Sequence, residues 1–256
     1  MRLDRLCLAT SIAVALILPA RAAAQTQDVS GTLYLSTTTA TSSTGEVFLM
    51  TAAQYSVFSD CTKGATDAEP CVTKAQPLLR SAVGDDGAFD FEDVDSGSYY
   101  LGGLSIATGL ATTQEVWVPG VKTDIYLDPF EFSTPGDPSK LSQACSDASK
   151  KHTYAAAAQL CLRAAIIYGH EVFEHPENSV ARGSCEALTG YEFAQGGSLF
   201  GLVKNYKKAL AMTLTAEQFF QAALQNTNTP ARETVKGLLD LEKFQEQMLR
   251  KDLLRP

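Results

Sequence analysis

The stretch from Gly84 to Leu101, GDDGAFDFEDVDSGSYYL, constrains the fold more than any other part of this chain. Phe89 and Phe91 alternate with acidic residues, which is the two-residue period of a strand with one buried face. The Asp-Asp-Gly at 85–87 predicts a tight turn, because its glycine can adopt a positive φ and aspartate tolerates one. After a second turn at Gly97 the alternation resumes. We therefore expect a hairpin and a following strand that share one buried face.

The remainder of the first half carries the same kind of signal. It is rich in Thr, Ser, Val and Gly, with turn residues about every ten positions. Seven short strands of this kind predict an antiparallel β-sandwich of two sheets. The candidate strands are Val29–Thr37, Gly45–Thr51, Leu78–Val83, Ala88–Glu92, Ser98–Ala107, Thr113–Val118 and Lys122–Leu127.

Residues 28–132 together resemble a known family. The resemblance is carried by Gly31-x-Leu33-x-Leu35, Asp86-Gly87-x-Phe89-x-Phe91-x-x-Val94-x-x-Gly97-x-Tyr99-x-Leu101 and Ile125-x-Leu127. This pattern is similar to that of the carboxypeptidase regulatory-like, or transthyretin-like, β-sandwich. The resemblance implies a fold and little about activity, because such modules serve as stalks, as adhesin repeats and as packing domains beside enzymes. Related collagen adhesins start an isopeptide crosslink at a first-strand lysine. Residues 28–37 contain no lysine, so we expect no such crosslink.

The first 24 residues have the composition of a secretory signal peptide. Arginines near the start precede an apolar run from Leu6 to Leu18, and small residues follow Pro19. We expect cleavage after Ala22 or Ala24. The apolar run is shorter than the roughly 20 residues that span a bilayer, and no later segment is apolar enough. The sequence therefore predicts a periplasmic or secreted protein with no transmembrane segment.

The net charge of the chain changes near Pro135. Residues 28–134 hold 15 acidic and 4 basic side chains, a net charge of −11, whereas residues 136–256 hold 13 and 14, a net charge of +1. We therefore expect two domains, at 28–134 and 139–256. An acidic first half argues against nucleic acid as a partner, because binding phosphates needs a basic surface.

The segment from Ala52 to Ala75 is an insertion relative to the sandwich pattern. It contains Cys61 and Cys71, which in an oxidising compartment are expected to form a local disulfide. The closed loop would be either a plain stabilising device or a rigid recognition loop at one end of the sandwich. Two cysteines without a nearby histidine do not predict a metal site.

The second half changes to a helical period. Apolar residues from Tyr154 to Phe173 recur at intervals of three and four, which indicates a long helix. Further helices are expected from Ser179 or Ser184, from Leu199 to about Thr213, and from two cap signals. These signals are Thr215-x-x-Gln218 and Thr229-Pro230. The pattern predicts an antiparallel bundle of four or five helices. Residues 187–191 and 205–210 also resemble tetratricopeptide-like helical pairs, which would favour a peptide groove.

Three further cysteines, Cys145, Cys161 and Cys185, lie in the helical half. On one unbroken helix Cys145 and Cys161 would be about 24 Å apart, too far to bond. A break between Ser149 and Thr153 would bring them together. We expect Cys145 to pair with Cys161 or with Cys185, which leaves one thiol.

No catalytic, cofactor or metal site is predicted. The two histidines of His170-Glu171-Val172-Phe173-Glu174-His175 are five apart, about 140° around a helix, so the zincin spacing fails. A site of His170, Glu174 and His152 remains an alternative. Two glycine-rich turns at 183–185 and 196–198 carry serines without a visible base. The acidic run at 85–95 lacks the order of a calcium loop and predicts a solvated strand face.

Three functions follow as expectations. The first is an exported, non-enzymatic binding or scaffold protein of the cell envelope. Its sandwich would act as a recognition or stalk module and its helical bundle as the domain that docks a protein partner. The second is an enzyme with a site between the two domains, where pockets commonly form. The third is a structural subunit of an envelope assembly.

Overall fold

A computed structural model describes residues 26–35, 45–84, 86–118, 124–127 and 136–254 of the chain. The signal peptide expected at residues 1–24 lies outside these residues. The strands are β1 Thr26–Leu35, β2 Gly45–Met50, β3 Leu79–Ala82, β4 Ala88–Asp95, β5 Gly97–Ser105, β6 Ala111–Val118 and β7 Ile125–Leu127. The helices are α1 Ala52–Thr62, α2 Glu69–Ala75, α3 Pro138–Lys150, α4 Tyr154–Glu174, α5 Val180–Leu202, α6 Tyr206–Gln225 and α7 Arg232–Leu253.

The chain is an α+β protein with two sheets in its N-terminal half. One sheet has the strand order β4-β1-β7 and the other β3-β2-β5-β6. Each of the seven expected strands is present within a few residues of its expected bounds. The expectation that all pairs are antiparallel is wrong at one place, because β1 and β7 run parallel, with Leu33 opposite Ile125. Strand β6 belongs to the four-stranded sheet and β7 to the three-stranded sheet.

The expected hairpin around Gly84 to Leu101 is also wrong in its pairing. Gly87 has the positive φ of +77° that the turn requires, and the turn follows β3. However, β4 pairs with β1, whereas β5 pairs with β2 and β6, so the chain changes sheets at Ser96. The prediction that the two strands bury side chains together is confirmed, although the strands belong to different sheets. Apolar side chains of both sheets form one cluster that includes Phe89, Phe91, Tyr99 and Leu101.

The insertion between β2 and β3 is helical and covers the second face of the four-stranded sheet. Phe58 of α1 and Val72 of α2 pack with Phe48, Met50 and Leu104 of the sheet. Strand β2 is therefore buried on both faces, which explains its apolar run from Val47 to Met50. The prediction that this insertion is a loop is wrong, because it contains α1 and α2.

The C-terminal half consists of α3 to α7, and each helix packs against the next one along the chain. Three expected helix boundaries are wrong, and one of them is the start of α7, where Ala231 and not Thr229 is the N-cap residue. Helix α5 continues through the glycines at 196–197, and α6 continues through Thr215, whose hydroxyl donates to the Ala211 carbonyl inside the helix. Of the two expected starts of α5, Ser179 is the observed N-cap; its side chain accepts from the Arg182 N–H. In the part of the chain that the structure describes, no helix has the length and apolar character needed to cross a membrane.

Candidate functional site

A group of ion pairs joins the two halves of the molecule. Lys207, at the start of α6, pairs with Glu46 of β2 and lies 3.7 Å from a carboxylate oxygen of Glu69. Glu46 is buried and also pairs with Arg80 of β3. Because the carboxylate of Glu46 pairs with two cations, its negative charge is compensated. The sheet half and the helical half therefore meet through specific polar contacts.

The neighbouring lysine forms the most buried of these pairs. Lys208 is 2% exposed, and its ammonium pairs with the Asp67 carboxylate in the loop between α1 and α2. The ammonium also lies 5.3 Å from the ring centroid of Phe200, within the range of a cation–π contact. Asp67 in turn accepts from the Glu69 N–H at 3.0 Å. The insertion is thus held between the sheet and the helical half.

Beside this ion pair lies a cavity of about 340 Å³ between the two halves. One wall comes from α1, the following loop and the β5–β6 turn, and the opposite wall comes from α4. Four of its apolar lining residues are buried in the two cores, namely Phe58, Ala68, Leu162 and Ile166. The volume falls in the range of cavities that hold small molecules.

The polar lining of the cavity is sparse. Its charged side chain is Arg163, and Gln159 and two threonines complete the polar part. Among the described lining residues there is no cysteine, histidine or carboxylate. The lining therefore offers a cation and hydrogen-bond donors to a ligand, without a nucleophile or a general base.

Buried carboxylates form a second unusual feature, deeper in the helical half. Glu217 of α6 and Glu242 of α7 are both buried, and each has one oxygen without a hydrogen-bond partner. Burial raises the pKa of the Glu217 carboxyl to about 7. Burial and the charge of Glu217 raise the pKa of the Glu242 carboxyl to about 7, although a hydrogen bond from Thr213 acts to lower it. These two groups hold protons near neutral pH and lie away from the cavity lining.

The solvent side of α7 carries an apolar stripe. Leu241 is 56% exposed, Phe244 62% and Met248 43%, and their spacing of three and four places them on one helical face. The core-facing residues Val235 and Leu239 lie on the opposite side of the helix. We call Leu241, Phe244 and Met248 the α7 stripe.

The structure contains the two disulfides that the sequence allowed. Cys61 bonds Cys71, with Cα atoms 5.5 Å apart, and Cys145 bonds Cys161, with Cα atoms 5.4 Å apart. Between the two partners left open for Cys145, Cys161 is therefore the observed one. Cys185 is a buried free thiol, and burial together with the nearby Glu171 raises its pKa to about 11. A thiol in this state is a poor nucleophile.

The other candidate side chains are not brought together as a site. His170 lies 3.7 Å from Glu174 on the surface of α4, whereas His152 contacts the hydroxyl of Tyr154. Within the described ranges no three His, Cys, Asp or Glu side chains form a group able to hold a metal ion. Ser184 and Ser198 lie inside α5, where Ser184 bonds the Val180 carbonyl and Ser198 bonds Gln245.

The acidic run before and along β4 faces solvent where the structure describes it. Asp90 and Glu92 are exposed, opposite the buried phenylalanines of the same strand. Asp86 accepts from the Ala88 N–H within the turn. Asp85 lies outside the described residues.

Sequence reasoning missed the residues that join the two halves. These are Glu46, Asp67, Lys207 and Lys208, which we call the junction. The helical insertion has a local signal, because Thr51 and Gln54 form a capping box at the start of α1. The pairing of Asp67 with Lys208, 141 positions later, has no local signal. Arg163 lies in a helix that the sequence predicted, but nothing in the helical period marks it as a cavity residue.

Comparison of the chain with known proteins found no matching family model, no matching curated protein and no matching solved structure. The geometry of the junction, the cavity and the α7 stripe therefore carries the functional argument.

Proposed function

We propose that this chain is an exported, non-enzymatic binding or scaffold protein of the cell envelope that docks a protein partner on the α7 stripe. The observation that carries the proposal is the exposure of Leu241, Phe244 and Met248 on one face of a helix whose opposite face is already buried. Aromatic residues and methionine are enriched in protein interfaces, and the α7 stripe places one of each side by side.

The composition around the α7 stripe supports a helical or extended apolar segment as the docking element. Lys236 and Asp240 are exposed beside the stripe on one side of the helix and carry charges of both signs. A Cβ added at Gly237 would meet nothing within 4 Å, so a partner can approach the backbone there. The stripe thus offers an apolar surface against which such a segment can pack.

In this proposal the N-terminal half is the stalk or recognition module. We propose that its two sheets form a transthyretin-like β-sandwich, as the resemblance implies, and that α3 to α7 form an antiparallel bundle. The ion pairs of Lys207 and Lys208 support a scaffold role, because they connect one half to the other at fixed positions. A rigid junction lets the module present the α7 stripe in a defined direction.

Export is supported by the leader-like composition of residues 1–24 and by two disulfides, which persist in oxidising compartments. We propose that the mature chain resides in the periplasm or outside the cell, and that it has no nucleic-acid partner. Fractionation of cells that produce the full chain, followed by N-terminal sequencing, tests this part of the proposal. A product retaining Met1 in the cytoplasm would contradict it.

Site-specific photo-crosslinking in the native envelope tests the docking surface. A photoreactive amino acid at Phe244 should give one discrete adduct with another protein, and the same group at exposed Glu177 should not. In a second arm, Leu241→Ser with Phe244→Ser should abolish co-purification of the crosslinked protein while the unfolding midpoint stays unchanged. An adduct only with a second copy of this chain, or no adduct, would overturn the proposal.

A further inference from the structure

The cavity between the two halves suggests a ligand site that is separate from the docking surface. Its walls come from α1 and the β5–β6 turn on one side and from α4 on the other. The ion pair of Asp67 with Lys208 stands next to it, since Thr66 and Ala68 of the lining flank Asp67. The cavity is therefore supported by fixed contacts on both sides, which favours a preformed site.

Arg163 differs from the other arginines that the structure describes. Arg80, Arg182 and Arg250 pair with carboxylates, and Arg232 donates to two backbone carbonyls. Arg163 has no ion pair or hydrogen bond with any described residue, and it lines the cavity. A guanidinium beside apolar walls, with no partner among the residues that the structure describes, is suited to bind an anion, because its planar fork binds a carboxylate in two places.

The neighbouring charges limit the anion to a single negative charge. Asp67 is already neutralised by Lys208, so neither group adds a free charge to the cavity. The apolar lining of Phe58, Leu162 and Ile166 requires an apolar body on the ligand. We propose that this cavity binds a small monocarboxylate with an apolar chain or ring, whose carboxylate pairs with Arg163.

Titration with three probes that share a ten-carbon chain tests the recognition of charge. Decanoate, decanol and decyltrimethylammonium are added to the full mature chain carrying labelled isoleucine methyl groups. Decanoate should shift the methyl signal of Ile166 saturably, and the uncharged and cationic probes should bind at least about tenfold more weakly. The methyl signal of Ile125, which lies in the cluster between the sheets, should not move. A parallel titration with 2-naphthoate distinguishes a ring from a chain, and tighter binding of either carboxylate supports the proposal.

Variants connect the binding to this cavity. Arg163→Gln should weaken decanoate binding by about tenfold to a hundredfold, and Arg163→Lys should restore part of it. Lys151→Gln, a matched loss of one exposed charge at the end of α3, should have no effect. Ala65→Trp at the exposed side of the lining should block both carboxylates, whereas Ala155→Trp on α4 should not.

Two results would overturn the inference. One is equal affinity of the wild-type chain for decanoate and decanol. The other is unchanged decanoate binding in Arg163→Gln with an unchanged unfolding midpoint. If Arg163→Gln does not fold, the affinities of the wild-type chain for decanoate and decyltrimethylammonium are the deciding test. Equal affinities would then overturn the inference. None of these readouts depends on the α7 stripe, so this inference and the docking proposal fail separately.

Discussion

At the scale of single residues, the buried glutamates are the most unusual feature of the helical half. Glu242 is 3% exposed and Glu217 8%, and both keep an unpartnered oxygen. Such groups avoid the cost of a buried charge by staying protonated. Their folded pKa of about 7 lies above the ordinary value of 4.5. The protonated pair therefore stabilises the fold below pH 4.5, and this contribution is lost as the pH rises towards and through 7.

We expect Glu242→Gln to flatten the pH dependence of stability. At pH 8 the variant should have a free energy of unfolding higher by on the order of 2 kcal/mol, because a neutral amide replaces a buried carboxylate. At pH 4.5 the two proteins should differ little. Urea unfolding at intervals from pH 4.5 to pH 8 measures the difference.

The matched control for this change is Glu177→Gln, at an exposed position between α4 and α5. It should leave the whole profile unchanged. A Glu242→Gln variant that is less stable than wild type at pH 8 would show that the carboxylate is stabilised as an anion, contrary to this account.

At the scale of secondary-structure elements, sequence period predicted most of the strands and the long helix α4. Alternation predicts a strand wherever one face is buried, and the residues at 88–92 follow this rule in β4. The rule does not predict pairing partners, since the turn at Ser96 sends β4 and β5 to different sheets. The turn that the glycines at 196–197 predicted is wrong, because both lie inside α5. Gly196 and Gly197 lie in the helix interior because they let α5 approach Met212 and Ala209 of α6.

The disulfide between α3 and α4 gives a prediction at this scale. The chain breaks at 151–153, so Cys145 and Cys161 meet and hold α3 against α4. Replacing both by alanine should lower the free energy of unfolding by about 3 kcal/mol, because the unfolded chain regains the entropy of the open loop. Thermal unfolding under non-reducing conditions measures the loss.

Cys185→Ala is the control for that disulfide variant, because it removes a buried sulfur without opening a loop. We expect it to cost about 1 kcal/mol, the effect of a small cavity. A double alanine variant as stable as Cys185→Ala would mean that packing alone holds α3 in place.

At the scale of the whole molecule, the junction connects the unfolding of the sheet half to that of the helical half. Its ion pairs bring together the loop after α1, strand β2 and the start of α6. We expect Lys208→Met to lower the free energy of unfolding by about 3 to 5 kcal/mol, because it leaves the Asp67 carboxylate without its buried partner. Calorimetry should show the sheet half and the helical half unfolding at more widely separated temperatures than in the wild type.

A double-mutant cycle makes this prediction specific. Adding Asp67→Asn to Lys208→Met should recover part of the loss, because the uncompensated charge is gone. Lys151→Met, which removes an exposed lysine at the end of α3, should change the stability by less than about 0.5 kcal/mol. Additive losses in the double variant would show that the two side chains do not interact.

By itself, the sequence determined the local structure of this protein. The alternation in β4 and β5, the period of three and four in α4 and the ten-residue spacing of Cys61 and Cys71 act between near neighbours, so they can be interpreted without a fold. Only the tertiary structure decided the parallel pairing of β1 with β7, the burial of Lys208 against Asp67 and the position of Arg163 in a cavity. The physical reason is that these contacts join residues far apart in the chain, and their energy depends on desolvation and distance, which no local pattern records.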